Sequence, residues 1–184
     1  MWWKKKAAEF PLSNLDPDGS NYVIQHVDPE MSTNRQVITL LPGNQLGVTT
    51  WQGEFAGEKM FKIEPCSDHP EEWILTAYNS EPKIQWVVNN ATLEAKVYPN
   101  STGDERRRPP YKQWRFRLEE VGRQGSKKYF IISQDEDLTG NNCLCLVVPQ
   151  TGTEPDSPET TGRRLGFAAK DETDLSQIWC LHQR

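Results

Sequence analysis

Cys143 and Cys145 stand one residue apart, as do Cys180 and His182, and these four side chains are the best metal-ligand set in the sequence. If both segments are extended, alternation turns each pair to one face of its strand. Zinc sites more often use C-x2-C turns whose backbone wraps the ion, so the four read as ordinary side chains, and no metal or other cofactor is expected. Cys66 brings the cysteines to four without a framework spacing, which reads as reduced thiols. Nucleophilic chemistry has no better footing. His26, His69 and His182 lack a partner at a triad-like spacing, and there is no G-x-S-x-G, H-E-x-x-H or phosphate loop. The acid pairs Glu71-Glu72 and Glu119-Glu120 lie beside strand-like runs, but a glycosidase needs two carboxylates facing each other across a cleft. The expectation is a binding protein, not an enzyme.

The bulk numbers narrow the class of partner. The chain has 184 residues and a formal net charge of −5, enough for one domain with one core. The acidic balance argues against a nucleic-acid partner, which needs a basic face to displace phosphate counterions. Mean hydropathy is −0.76, yet seven Trp, five Tyr and six Phe require a folded interior. No run approaches the roughly 20 apolar residues of a membrane span. Met1-Trp2-Trp3-Lys4-Lys5-Lys6 carries positive charge with no apolar stretch behind it, so it does not read as a secretory signal. A cytoplasmic or non-classically secreted protein is expected.

The elements that must position any site read as short strands. Tyr22-Val23-Ile24, Trp73-Ile74-Leu75 and Tyr129-Phe130-Ile131 open three copies of one pattern, 51 and 56 residues apart. Three aromatic-centred runs close them, at Phe61, Trp114 and Trp179. Strands are expected at 21–27, 35–41, 46–51 and 59–64, then at 72–78, 83–88, 94–98 and 112–118, and finally at 127–133, 143–148, 163–169 and 177–182. Pro, Gly, Asn and Asp clusters separate them. A period near fifty implies one supersecondary unit used three times. Twelve short strands in three four-strand sets match an all-β fold of the β-trefoil type, its first and last strands forming a closed barrel. Residues 1–20 read as an N-terminal extension and 21–184 as a single domain, with repeats at about 21–66, 67–122 and 123–184. Trp114 and Trp179 are expected inside the barrel.

At Gln177-Ile178-Trp179 the chain resembles the Q-x-W signature of ricin B-like lectins. Asn142-Cys143-Leu144-Cys145-Leu146 and Arg164-Leu165-Gly166-Phe167 look like that family's second and third strands. Gly43-Asn44-Gln45-Leu46-Gly47-Val48-Thr49-Thr50-Trp51 resembles its glycine-led third strand. The resemblance implies a non-catalytic carbohydrate-binding protein with a glycan as partner. It also implies that Trp51, Tyr98 and Phe167 are the aromatics on which sugars stack, with Asn44 and Gln45 serving beside Trp51. The second-strand acid of galactose-binding members falls at Thr39, Trp86 and Cys145, none of them acidic.

Gly19-Ser20-Asn21-Tyr22-Val23-Ile24, the Trp-centred closing strands and the long irregular loops also resemble fungal trefoil protease inhibitors of the mycocypin type. That likeness implies a protease as the alternative partner, blocked by an exposed loop. Arg106, Arg107 and Arg108 are the best bait by chemistry, since arginines suit an acidic specificity pocket and Pro109-Pro110 would stiffen the loop.

Overall fold

The computed structural model describes residues 15–27, 35–51, 56–66, 69–89, 92–97, 114–133, 144–148 and 163–184. Alternating apolar residues between turn-forming clusters give thirteen strands in chain order: β1 (Ser20–His26), β2 (Gln36–Leu41), β3 (Gln45–Thr50), β4 (Phe61–Cys66), β5 (His69–Ala77), β6 (Ile84–Asn89), β7 (Thr92–Val97), β8 (Phe116–Glu120), β9 (Lys128–Ser133), β10 (Leu144–Val147), β11 (Arg163–Arg164), β12 (Gly166–Ala169) and β13 (Trp179–Gln183). Strands β11 and β12 occupy one expected strand, broken at Leu165. The break lets Leu165 bury its side chain in the core and accept a hydrogen bond from Leu93 N at 3.3 Å.

The pairings close a ring. β1 pairs with β4, β4 with β5, β5 with β8, β8 with β9, β9 with β13, and β13 returns to β1, every pair antiparallel. A six-stranded barrel results, and closure leaves none of its strands with a free edge. The remaining strands form three hairpins, β2–β3, β6–β7 and β10–β12, each hydrogen-bonded to the barrel through its first strand. β3 pairs with β11 and β7 with β12, so the hairpins are also tied to one another. This is a β-trefoil.

Three-fold symmetry is visible in the register. Tyr22 faces Phe61, Trp73 faces Phe116 and Tyr129 faces Trp179 across the first-to-last strand pairs. These six side chains are buried in one central cluster with Ile24, Leu75 and Ile131. The register corrects one expectation. Phe116, not Trp114, is the counterpart of Phe61 and Trp179, and Trp114 packs outside the barrel with Cys66 and Val87. Trp114 and Phe116 have the same strand parity, so alternation could not choose between them. Leu15, inside the segment read as an extension, is buried in the central cluster, and Asp16 N donates to the Tyr22 hydroxyl at 3.0 Å.

Candidate functional site

Strand β13 points Trp179 and Leu181 inward, so Cys180, His182 and Arg184 fall on the outside of the barrel. Its neighbours complete that face. Across β9, β13 and β1, Lys128 lies opposite Cys180 and Cys180 opposite Gln25, while Val23 lies opposite His182. The Gln25 Oε1 accepts a hydrogen bond from His182 Nε2 at 2.9 Å. His26, buried at the end of β1, donates through Nε2 to the Ser176 carbonyl at 3.2 Å and packs its ring 5.1 Å from that of Trp179.

Gln25, His26, Lys128, Cys180 and His182 line a cleft of about 400 Å³ together with Val27 and Leu175. Leu175 is 45% exposed, the only large hydrophobic side chain so open among the described residues. It lies in the 3-10 turn Leu175–Gln177, which the Asp174 carboxylate caps through Ser176 N. Gln177 anchors that turn from inside: its Nε2 donates to Ala169 O and its Oε1 accepts from Asp171 N, both at 2.9 Å. The cleft floor is therefore held by a buried amide, and its rim carries an amide, an imidazole, an ammonium and an apolar side chain.

Burial holds the His182 imidazole below its ordinary pKa, and Arg184, Lys127 and Arg35 push it the same way. Burial also pushes the Cys180 thiol up, with Lys128 and Lys127 opposing. A protonated thiol is a poor nucleophile, so Cys180 beside His182 does not make an activated pair. Cys145, buried with Phe130 and Ile178, belongs to a separate cluster, and Cys143 lies outside the described residues. Among the described residues no group of three or more His, Cys, Asp or Glu is disposed to hold a metal ion, and no helix is long and apolar enough to cross a membrane.

The sequence-proposed sugar contacts do not converge. Trp51 directly follows β3 and is 7% exposed, packed on Val23, Val37 and Met60. Its ring lies 6.0 Å from that of His182, and the Arg184 guanidinium stands 5.0 Å over it. Trp51 thus touches one cleft residue, His182, without lining the cleft itself. Asn44 and Gln45 are at the other end of β3, where Gly43 and Asn44 take φ of 78° and 57° to turn the hairpin. Six strand residues rising about 3.3 Å each separate that tip from Trp51 by roughly 20 Å. Phe167 is half-buried against the central core and stacked on Phe116 at 6.5 Å. Thr39, Trp86 and Cys145, where the resemblance places the sugar-binding acid, are all buried. Tyr98 and the Arg106–Arg108 loop lie outside the described residues. Sequence reasoning missed Gln25, Lys128 and Leu175 as site residues. His182 was visible only as one half of an alternating Cys-x-His pair, because nothing local tells which strands flank β13.

No protein-family model matches the sequence, and no curated protein matches it. Solved structures do. A structure of Cry35Ab1 is 16% identical with a TM-score of 0.56, the match covering 92% of this chain and 36% of that one. A ricin B-like lectin from Macrolepiota procera in complex with lactose is 13% identical with a TM-score of 0.56, covering 91% of this chain and 97% of that one. SeviL bound to an asialo-GM1 saccharide is 14% identical with a TM-score of 0.54, covering 89% and 97%. The chain spans about a third of the length of Cry35Ab1 and 17% of that of a mosquitocidal holotoxin. The closed barrel, the three hairpins and these likenesses agree: the chain has the β-trefoil fold.

Proposed function

We propose that this is a non-catalytic carbohydrate-binding protein, and that its sugar site is the outer-face cleft lined by Gln25, His182 and Leu175, not the hairpin tip at Asn44 and Gln45. One observation carries the reading. Gln25 and His182, hydrogen-bonded to each other across two barrel strands, stand in the same cleft as the exposed Leu175 and Val27. A saccharide needs this combination: directional groups for its hydroxyls and apolar surface for its C–H face. A cleft of about 400 Å³ falls within the range of small-molecule sites. Two solved proteins of the same fold are described with saccharides, lactose in one and an asialo-GM1 saccharide in the other.

A glycan array tests the reading. The native protein is expected to retain a defined set of saccharides, and Gln25→Ala to weaken that binding about tenfold, the value of one hydrogen-bonding side chain. An array with no retained saccharide, or full retention by Gln25→Ala, would contradict it.

A further inference from the structure

One cation lines the cleft and others stand near it in a chain whose net charge is −5. Lys128 lines it. Lys127, the preceding residue, lines a second recess of about 50 Å³ next to Tyr129 and Gln183. Arg184 directly follows β13 and covers Trp51, and the Arg35 carbonyl accepts from Trp51 N at 2.6 Å. All four basic side chains are exposed. Among the described residues no carboxylate forms an ion pair with any of them; the nearby Glu120 carboxylate is taken by the backbone amides of Gly125 and Lys127. Arg184 stands near His182 through Trp51, whose ring lies 6.0 Å from the imidazole and 5.0 Å under the guanidinium.

We propose that the cleft takes an acidic saccharide, one whose carboxylate or sulfate meets Lys128 in the cleft and Arg184 beside it while its sugar ring meets Gln25, His182 and Leu175. The proposal rests on the carbohydrate-binding reading above and names the class of sugar. Charge-assisted bonds to a carboxylate or sulfate are stronger than neutral ones, and this rim offers them without first breaking an ion pair among the described residues.

The test is an array of neutral saccharides printed beside their sialylated, uronic and sulfated counterparts, read at 50 and 300 mM NaCl, with inorganic sulfate as a competitor. The acidic member of a pair is expected to bind about tenfold tighter, the equivalent of one good charged contact. That preference should shrink at the higher salt, where the screening length is shorter. In Lys128→Ala/Arg184→Ala it should fall to about twofold or less. The melting temperature of that double variant of exposed residues should be unchanged, which separates lost charge from lost fold. Neutral saccharides bound as well as acidic ones would overturn this inference and leave the carbohydrate reading standing. Acidic preference that survives the double variant would overturn the site. Sulfate competing at the affinity of a sulfated sugar would reduce the ligand to a bare anion and overturn the saccharide. No saccharide bound at all would overturn both readings.

Discussion

Gln177 shows how a family-like signature can be structural. Its side chain is buried and satisfies one carbonyl and one amide of the 169–171 segment, while Trp179 fills the barrel and donates through Nε1 to Leu146 O at 3.1 Å. Replacing Gln177 with Leu takes that partner from both backbone groups, which belong to the exposed residues Ala169 and Asp171, so a loss of about 1–2 kcal/mol is expected in urea unfolding. A loss under about 0.5 kcal/mol would mean that water replaces the amide. His182 makes a pH prediction. Its folded pKa lies below the ordinary 6.5, so the unfolded chain binds the proton more readily. The contribution of His182 is complete above about pH 6.5 and is lost as pH falls through the lower, folded value. His182→Gln should therefore flatten the fall in melting temperature between pH 7.5 and 5 relative to the native protein. Parallel curves would contradict the burial assigned to His182.

At the scale of elements, the opening runs were legible because Tyr22, Trp73 and Tyr129 repeat at nearly even spacing and all face the barrel. The closing runs were legible as strands but not in register. Trp114 is the larger and more conspicuous residue, yet β8 starts at Phe116, and Trp114 joins a satellite cluster where the Arg115 guanidinium lies 6.0 Å from its ring centre. Only the cross-strand partner Trp73 decides between them, and pairing is not a local property. The split at Leu165 was illegible for the same reason: β11 answers to β3 of the first repeat and β12 to β7 of the second. Leu165 is buried where these hairpins meet. Leu165→Ala is expected to lower the urea midpoint by the equivalent of about 2–5 kcal/mol with an unchanged slope. A changed slope would show that the caps unfold apart from the barrel.

For the whole molecule, symmetry and function part company. The barrel repeats three times, but the cleft occurs where the last strand of the third repeat meets the first strand of the first, with Leu175 supplied by the turn before it. Such a site joins the two ends of the described chain, so no single repeat contains its pattern. The sugar contacts suggested by resemblance were sought inside repeats, at Trp51, Asn44, Gln45, Tyr98 and Phe167. Trp51 among them touches one cleft residue, His182, without lining the cleft. The most direct test is an NMR titration of the protein with the saccharide best retained on the array. The account predicts that the Trp51 indole, the Gln25 side-chain amide and the Leu175 methyls shift together while Asn44 and Gln45 stay still. Shifts confined to Asn44, Gln45 or Phe167, with Gln25 and Leu175 unmoved, would contradict it.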